Sequence, residues 1–537
     1  MNLLGSENLN DTDPANLSST TFDVCVVGSG ASGGTLSSRL ARAGLNVIVL
    51  EGGPKIDTSR AFNTHALPYE FKNRKVPLMA PGAGNFDDDR GRGVGGKTLL
   101  WNAVAWRLSE RDFKGYSFEG AGVDWPLGYA DLAPYYEQIE REIGVCGNAD
   151  HLEDLPDGIF LPPLPLRCSD RVIERGAASL GIKVISVRKA TLTTPRDPRP
   201  ACHYCGNCMR GCDVVAKYDS ANVQIYPSVA SGKLKLLSNA VVREVALADK
   251  SHVRGVRYID RTTRREGFIK AHCVVVSCAC MQSVGLLLMS RSSYFPNGLA
   301  NSSGQLGKNY IPHFTANFDG FFRELIGTES VNDEGALDHA YIPSYMHARK
   351  RDYARSFAIQ FNFQNRRYVP WATDMEGFGI PLKKQIKARY PAFLHFSVYG
   401  EMLPSSGSTL GLDPLQKDRL GLPLVQAKVQ YGENEKRLFA SMKSEGRRIL
   451  MASNVEILRE PRAPVTNHEL GGCRMGLDPG TSVVNAFGQS HDIPNLFVVD
   501  GSVFPSASEK NPTLTMMALA ARTADFIARE FPKGTFG

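Results

Sequence analysis

The hydrophobic pattern differs between the two ends of the chain and its middle. Near the ends, short runs are almost wholly apolar, at 24–27, 46–50, 273–276 and 496–499. Strands buried on both faces have this pattern, because helices cover both sides of a parallel sheet. The runs therefore predict a parallel sheet, with helices over 35–43 and from Thr513 to about Phe531.

The pattern between residues 314 and 431 is instead an alternation. Apolar side chains recur at every second position in several segments: Phe314/Ala316/Phe318, Phe357/Ile359/Phe361/Phe363, Leu394/Phe396/Val398 and Val425/Ala427/Val429/Tyr431. Period two over several segments indicates an antiparallel sheet with one buried face. Residues 234–247 and 253–259 are expected to form a further hairpin. The predicted fold class is α/β, with a Rossmann-like domain and an antiparallel-sheet domain.

Composition places the chain among ordinary globular proteins. Its 537 residues are 42% hydrophobic and 22% charged, which excludes disorder, collagen-like repeats and coiled coils. The net charge of +7 includes no Lys/Arg block, so nucleic-acid binding is not expected. No apolar run approaches the roughly 18–20 residues that span a bilayer. Residues 1–20 lack the basic start and apolar core of a signal peptide, and a flexible arm is expected there.

A glycine pattern follows the first apolar run. Gly28, Gly30 and Gly33 form G-x-G-x-x-G between a predicted strand and a predicted helix, and Glu51 ends the next strand. The glycines allow close approach to a pyrophosphate, the helix N-terminus stabilises its charge, and the carboxylate can bind a ribose. NAD and FAD share this fingerprint. A second glycine-dense stretch, 91–102, indicates another loop close to a large cofactor.

Four of the eleven cysteines are crowded into one loop. Cys202, Cys205, Cys208 and Cys212 have the spacing C-x2-C-x2-C-x3-C. Zinc favours two separated C-x2-C pairs, whereas thiolates at three-residue steps can wrap an iron–sulfur cluster, as in bacterial ferredoxins. The ferredoxin run ends in Pro, but here Asp213 follows. A [4Fe-4S] cluster is favoured, and [3Fe-4S], zinc and plain structural thiols are the alternatives.

Three segments together resemble the glucose–methanol–choline (GMC) oxidoreductases, FAD enzymes that oxidise alcohols and sugars. They are the N-terminal fingerprint with Glu51, the stretch 91–102, and the C-terminal segments 467–476, 497–505 and 510–515. The cysteine loop is unusual in that family and is similar to that of bacterial glucoside 3-dehydrogenase catalytic subunits, which oxidise the C3 hydroxyl of glucosides. The segment 277–283 departs from the family's usual Ala-Gly-Ala turn, which leaves the cofactor contacts there open.

The resemblance implies roles for individual residues. His468 matches the catalytic base and Asn511 its partner, and a neutral imidazole can take a hydroxyl proton at working pH. Asn511 and Pro512 are expected as N-cap and first residue of the last helix, whose N-terminus would face the flavin. His313 and His491 are expected to be structural. The implied FAD contacts are Gly28, Gly30, Gly33, Glu51, Gly95, Gly96, Asn102, Val242, Asp500, Gly501, Asn511 and Thr513.

The cysteine loop also bears on the electron acceptor. A cluster passes electrons singly, which suits a cytochrome-type acceptor and favours a dehydrogenase over an oxidase. Related sugar dehydrogenases have a small subunit that carries the export signal, so a heterodimer in the periplasm is expected, with the cytoplasm as the alternative. A GMC oxidase using O2, a non-redox GMC-fold lyase and a non-catalytic electron-transfer subunit are the rival functions.

The predicted domain limits follow from these assignments. Residues 1–20 form the arm, and the FAD-binding domain is discontinuous, comprising 21–115, 225–312 and 455–537. Residues 116–224 are an insertion that carries the Cys202–Cys212 loop, and 313–454 form the antiparallel substrate-binding domain. Which sugar is bound does not follow from any pattern in that last segment.

Overall fold

The computed structural model describes residues 17, 19–62, 92–206, 208–329, 338–362 and 369–536. Most of the predicted N-terminal arm lies outside these ranges, as do Gly91 and Phe363. The strands are β1 (Thr21–Val27), β2 (Val47–Leu50), β3 (Ile185–Ser186), β4 (Leu234–Leu237), β5 (Ala240–Leu247), β6 (Val253–Asp260), β7 (Glu266–Val276), β8 (His313–Phe322), β9 (Ala340–Ile342), β10 (Phe357–Asn362), β11 (Phe393–Gly400), β12 (Thr409–Lys417), β13 (Pro423–Lys428), β14 (Val455–Arg459), β15 (Val465–Asn467) and β16 (Leu496–Val498).

The α-helices of the described ranges are mostly short. They are α1 (Ala31–Arg42), α2 (Thr58–Ala61), α3 (Glu110–Phe113), α4 (Gly115–Glu119), α5 (Tyr129–Ile143), α6 (Cys168–Ala178), α7 (Tyr226–Ala230), α8 (Cys280–Met289), α9 (Gly379–Arg389), α10 (Glu433–Ala452) and α11 (Thr513–Glu530). Helix α11 packs on α1 and α5, and Tyr136 of α5 shares a 2.7 Å hydrogen bond with Thr515. Within the part of the chain described, no helix is both long and apolar enough to cross a membrane.

The first sheet is the predicted parallel one, with the order β4-β2-β1-β7-β6-β5. Strands β4, β2, β1 and β7 are parallel, and the end of β7 also pairs with β16. The apolar runs form its centre: Val24 pairs with Val47 and Cys273, and all three side chains are buried. The carboxyl ends of these strands therefore meet at one edge, where the fingerprint lies.

The segment 234–247 differs from its prediction. A single hairpin strand was expected, but β4 joins the parallel sheet beside β2, and only β5 pairs with β6. Asn239 separates the two strands in a left-handed conformation, with φ of 56°. Its backbone N–H donates to the carbonyl oxygen of Gly53, and the N–H of Ala240 donates to the carbonyl oxygen of Glu51. The turn at Asn239 therefore places β5 beside the end of β2.

The second sheet is antiparallel, as the alternation predicts, with the order β14-β8-β11-β10-β9-β3 and β15 paired to β8. One face is apolar and packs against α10 and α6; it includes Phe314, Ala316, Phe318, Ile359, Phe396 and Val398. The opposite face is more polar. Asn317, Ser397 and Gln360 pair across β8, β11 and β10 and so form one row. The fold is the predicted mixed α/β architecture.

The alternation over 425–431 belongs elsewhere. Part of it forms β13, which pairs with β12 in a separate two-stranded hairpin. This hairpin packs on α8, and a Cβ on Gly285 of that helix would lie 2.6 Å from Val425. Strand β3, from the predicted insertion, in turn adds to the edge of the second sheet. The domain limits remain a prediction. The β12–β13 hairpin and strand β3 each pack against an element outside the domain predicted for them.

Candidate active site

The glycines of the fingerprint have three different surroundings. Gly28 has φ of 105°, and a Cβ there would lie 2.2 Å from the carbonyl oxygen of Ser277. A Cβ on Gly33 would lie 2.0 Å from the carbonyl oxygen of Gly28. Gly30, which precedes α1, faces open space instead. Two of the glycines therefore allow close packing, and the third leaves room beside a helix N-terminus, which fits the pyrophosphate of a dinucleotide.

Glu51 closes the fingerprint from the end of β2. Its carboxylate accepts hydrogen bonds from the Ser29 hydroxyl at 2.6 Å and from the Gly53 N–H at 2.9 Å. Burial raises the pKa of Glu51, and these hydrogen bonds oppose the shift. The carboxylate is thus fixed beside the turn at Ser29, where the predicted ribose contact requires it.

The second glycine loop lies against the first. The Gly95 N–H donates to the Ser29 hydroxyl at 3.0 Å, and a Cβ on Gly96 would lie 3.3 Å from the Cα of Gly30. Asn102 has protein partners, since its amide oxygen accepts from buried Lys189 at 2.8 Å and its amide donates to Asp338. Of these three predicted cofactor residues, Gly95 and Gly96 therefore lie beside the fingerprint loop of Ser29 and Gly30, whereas Asn102 is engaged with other side chains.

The remaining predicted FAD contacts lie around the same sheet. Val242 is in β5, next to Val241, which touches Gly52. Asp500 follows β16 and is buried; its carboxylate accepts from the Ser283 hydroxyl at 2.5 Å and the Ser502 N–H at 2.8 Å. Gly501 is buried beside it, and Thr513 begins α11. Together with the two loops they frame a site of the kind that FAD occupies, and their individual contacts stay predictions.

The predicted base and its partner meet at the boundary between the two sheets. His468 Nε2 is 3.3 Å from the amide nitrogen of Asn511. The amide oxygen of Asn511 accepts a hydrogen bond from Gln360 of β10. This contact orients the amide so that its nitrogen faces the imidazole. His468 has a φ of 45°, a left-handed conformation uncommon for histidine, which is typical of a side chain held for function.

The expectation that Asn511 caps the last helix is wrong. The residue before α11 is Pro512, and the structure assigns no side-chain cap to this helix. The Asn511 side chain bonds Gln360 and faces His468 instead. Because the Asn511 side chain is engaged with Gln360 and His468, it does not cap the first N–H groups of α11. The helix N-terminus is thereby left available to a ligand.

His313 contacts the predicted base directly, although a structural role was expected for it. Its Nδ1 lies 2.9 Å from Nδ1 of His468, and the two rings are nearly perpendicular. Tyr399 stacks on the other side of His468, with ring centroids 5.8 Å apart. Burial lowers the pKa of His313 to about 4 and is also the main cause that lowers the pKa of His468, with His313 and Lys97 adding to the shift. Both imidazoles are therefore neutral at neutral pH.

A buried charge cluster adjoins Asn511 along the chain. The Lys510 ammonium donates to Asp112 at 2.8 Å and to Glu509 at 2.9 Å. Glu401 completes a set of three carboxylates with oxygens within 4.8 Å of one another. Burial, with the charge of Glu509, raises the pKa of Glu401 well above its usual value. Because Lys510 already supplies the cation, we interpret this set as a structural anchor for the Asn511 backbone.

The four predicted cluster ligands lie in one half-buried loop, with Cys208 fully buried. The Tyr204 N–H points at the Cys202 sulfur, 3.4 Å away. Burial raises the pKa of Cys202 to about 12, and the other three thiols add to the shift, so they face it. Four thiols with backbone N–H donors fit the ligand set of an iron–sulfur cluster.

One buried and one partly buried cation lie near this loop. Lys217 is 2% exposed, and its ammonium donates to the carbonyls of Leu99, Trp101 and Cys208 at 2.8–3.0 Å. Arg199 likewise donates to backbone carbonyls, at 2.9–3.2 Å. Burial lowers the pKa of Lys217 to about 8, and the charges that oppose the shift are, in order, Cys208, Cys212 and Asp219. As thiolates, Cys208 and Cys212 would be the main counter-charges of this lysine, followed by the carboxylate of Asp219.

Several of these residues were not found by sequence reasoning. His313 was assigned a structural role, and Gln360, Lys217 and Lys510 were not singled out. Gln360 is the polar residue between Ile359 and Phe361 in β10, and Lys510 precedes Asn511 directly, so position gave a weak signal for both. Lys217 lies only five residues beyond Cys212, but its burial could not be read from the sequence.

Comparison with known proteins identifies the class of this site. The N-terminal GMC oxidoreductase model matches residues 86–315 and the C-terminal model matches 404–520. Together the two models span more than half of the chain. The match agrees with the site described above, which has a dinucleotide fingerprint and a His–Asn pair. The protein is an FAD-dependent oxidoreductase. Within that class, the chain belongs to the GMC oxidoreductase family.

Individual relatives align over nearly the whole chain. The fructose dehydrogenase large subunit of Gluconobacter japonicus is 29% identical, over 95% of this chain and 98% of the relative. The gluconate 2-dehydrogenase flavoprotein of Pantoea cypripedii is 26% identical, over 95% and 94%. The 6'''-hydroxyparomomycin C oxidase of Streptomyces lividus is 28% identical, over 94% and 91%.

Solved structures agree in fold. Pyridoxine 4-oxidase has a TM-score of 0.66 at 17% identity and covers 94% of this chain and 99% of its own. A formate oxidase variant of Aspergillus oryzae, studied for modification of its FAD, has a TM-score of 0.68 at 14% identity, over 96% and 99%. At these identities the likeness establishes the shared fold and no more.

Proposed function

We propose that the protein is an FAD-dependent dehydrogenase of a sugar or related alcohol, with a glucoside oxidised at C3 as the favoured substrate. The observation that carries this proposal is the contact between His468 and Asn511 at the edge of a polar sheet face. Asn317, Ser397 and Gln360 form a row on that face, and the amide oxygen of Asn317 is buried without a hydrogen-bond partner. Such a row suits a polyhydroxylated ligand.

The chain's own residues handle the proton of the reaction. Neutral His468 takes the hydroxyl proton at Nε2, and the Asn511 amide orients the same hydroxyl without competing for the proton. The Gly30 and Gly95 loops would hold FAD, which would supply the acceptor for the hydride. His313 and Asn511 are buried and His468 is partly buried where the two sheets meet, so the base is partly shielded from water.

The four cysteines would hold an iron–sulfur cluster, [4Fe-4S] or alternatively [3Fe-4S], and such a cluster supplies one-electron transfer. Support comes from Lys217, since a buried cation bonded to neutral carbonyls is stabilised by a nearby anion. The partly buried Arg199 adds a second positive charge. Zinc fits less well. Tetrahedral Zn–S bonds place sulfurs about 3.8 Å apart, whereas in the described ranges three ligand atoms come within 4.8 Å of one another only at Asp112, Glu401 and Glu509.

A one-electron carrier beside the substrate site favours a cytochrome-type acceptor and a dehydrogenase. The names of two relatives, a large subunit and a flavoprotein, are consistent with a partner subunit. We therefore propose a small partner that carries the export signal, and a periplasmic location. Purification of the native protein as a single-chain cytoplasmic enzyme would contradict both. The named oxidases among the relatives keep an oxidase using O2 as the second candidate.

The test is an absorption spectrum of anaerobically purified protein, with iron and sulfide measured on the same sample. Methyl glucoside, fructose and gluconate are then added separately. We expect flavin bands over a broad shoulder near ~400 nm, about four irons per chain, and bleaching by at least one sugar. A yellow, iron-free protein reoxidised faster by O2 than by dyes would make the oxidase the better assignment. Bleaching by none of the sugars would contradict the proposed substrate class.

A variant pair tests the base. His468→Ala is expected to slow FAD reduction by about 10²–10⁴-fold, because the hydroxyl proton loses its acceptor. The matched control is His491→Ala, since the His491 ring shares a 2.9 Å hydrogen bond with the Ser482 hydroxyl, outside the His468–Asn511 pair. Stopped-flow absorbance under anaerobic conditions measures both. Equal rates for the two variants would exclude His468 as the base.

A further inference from the structure

The histidine behind the base is placed by the backbone. His313 is the first residue of β8, and its register partner in β15 is Asn467, next to the base. The His313 N–H donates to the His468 carbonyl at 3.3 Å. This ladder contact uses no side-chain atom. The two imidazoles are therefore held together by the strands, and a substitution of the His313 side chain leaves the backbone pairing in place.

The separation of the two rings requires a shared proton. Two Nδ1 atoms at 2.9 Å form a hydrogen bond only when one of them carries hydrogen and the other accepts it. Burial keeps both rings neutral, so each ring carries one proton. The pair therefore has two possible arrangements, in which His468 is either the donor or the acceptor at Nδ1.

The arrangement determines whether His468 can act. If His468 accepts at Nδ1, its single proton lies on Nε2, the nitrogen next to Asn511, and it has no lone pair there for a hydroxyl proton. If His468 donates at Nδ1, Nε2 is free. His313 then carries its own proton on Nε2, which is buried beside the backbone of Ser508 without a hydrogen bond of normal geometry.

We infer that His313 is the positioning residue of the base: its Nδ1 accepts the Nδ1–H of His468 and thereby keeps Nε2 of His468 unprotonated and turned toward the substrate alcohol. The inference rests on the proposed role of His468. In this arrangement His313 has the part that a carboxylate has in many catalytic triads, but it is neutral. A neutral acceptor fixes the tautomer without raising the basicity of the imidazole as an anion would.

The charged groups around the pair are consistent with this reading. Lys97 is the cation that acts on His468, and its ammonium forms an ion pair with Glu469 at 3.3 Å. Tyr399 stacks on His468 and also lies edge-on to His313, with ring centroids 6.4 Å apart. Asn511 and Gln360 contribute neutral amides. His313 Nδ1 is the partner that the structure gives to His468 Nδ1.

The test compares two substitutions of His313 in the full-length protein with FAD bound. His313→Asn places an amide oxygen near the Nδ1 position and keeps an acceptor. His313→Leu fills the site without one. Anaerobic FAD reduction by the best sugar is expected to slow by about 10²–10³-fold in the Leu variant and by less than tenfold in the Asn variant. FAD content and the unfolding temperature of each variant serve as controls.

A second readout does not depend on activity. In protein labelled with ¹⁵N-histidine, the His468 ring signals, assigned by comparison with His468→Ala, report which nitrogen carries the proton. We expect the Nδ1–H form in the wild type and in His313→Asn, and a shift toward Nε2–H in His313→Leu. An Nε2–H tautomer in the wild type, or a Leu variant with wild-type rate and pH profile, would overturn the inference. Failure of His468 as the base would appear separately, as unchanged FAD reduction in His468→Ala.

Discussion

Two buried lysines are held in opposite ways. Lys510, 2% exposed, donates to the carboxylates of Asp112 and Glu509. Lys217, also 2% exposed, donates to the backbone carbonyls of Leu99, Trp101 and Cys208, next to four cysteines. The charge of Lys510 is balanced by its own chain, whereas Lys217 is balanced best by an anion that the cysteines would create on binding metal. We interpret the first lysine as a structural anchor, and the second supports the proposed cluster site.

The largest expected effect is at the anchor. Lys510→Met leaves Asp112 and Glu509 buried without their cation, so we expect the free energy of unfolding to fall by about 3–5 kcal/mol. Chemical denaturation measures it. The control is Lys533→Met, because Lys533 is 59% exposed in its pair with Glu530 and should change stability by less than about 1 kcal/mol. Similar losses in both variants would remove the distinction between anchor and surface pair.

A smaller effect is expected at the cysteine loop. In Lys217→Met a bound cluster would lose a nearby buried cation. We therefore expect the variant to bind iron about 10–100-fold more weakly than the wild type, measured in competition with a chelator. Iron per chain after dialysis against graded chelator measures this change. Lys235→Met, on the exposed side of β4, is the matched control. If Lys217→Met retains iron as the wild type does, the lysine has no role in cluster binding and the contrast with Lys510 fails.

The smallest effect concerns Glu401, the third carboxylate of the anchor. Its pKa in the folded state is raised by burial, so the folded state holds a proton that the unfolded state releases above its ordinary pKa of about 4.3. Wild-type stability from this group is therefore present at low pH and lost as pH rises toward the folded pKa. Glu401→Gln does not titrate, and its stability relative to wild type should grow by up to about 1.4 kcal/mol per pH unit.

Denaturation of Glu401→Gln and wild type at pH 5 and pH 6 tests this sign, and over that interval the difference should change by at most about 1.4 kcal/mol. Glu433→Gln is the control, since Glu433 is an exposed residue paired with Lys436 and its substitution should give no rising difference. A difference that shrinks with pH would mean that Glu401 is ionised in the folded protein. The anchor would then carry an extra negative charge, and its balance within the chain would be lost.

The sequence predicted the parts of the site that depend on local chain geometry. Gly28 and Gly33 are required by contacts with backbone oxygens nearby in the fold, and a motif of fixed spacing encodes that need. The His468–Asn511 pair followed from the family resemblance. The alternation also gave the second sheet, because burial on one face dictates period two.

The remaining parts depend on which strands become neighbours. His313 meets His468 because β8 pairs with β15, and Gln360 reaches Asn511 from a strand 151 residues away. Neither pairing has a local signal. The prediction that Asn511 caps the last helix was wrong for the same reason, since its amide oxygen accepts a hydrogen bond from the distant Gln360 and not from the adjacent helix. The single strand expected over 234–247 failed because Asn239 adopts a left-handed turn.

The two faces of the second sheet have a consequence for how new specificities can arise. Phe314, Ala316 and Phe318 face the core beneath α10, whereas Thr315 and Asn317 alternate with them on the other face. Ser397 and Gln360 continue that face on the neighbouring strands. Under the proposed substrate-binding role of this face, substitutions at every second position would reshape what the enzyme accepts while the core keeps its packing. A library restricted to those alternate positions would explore substrate range with little loss of folded protein.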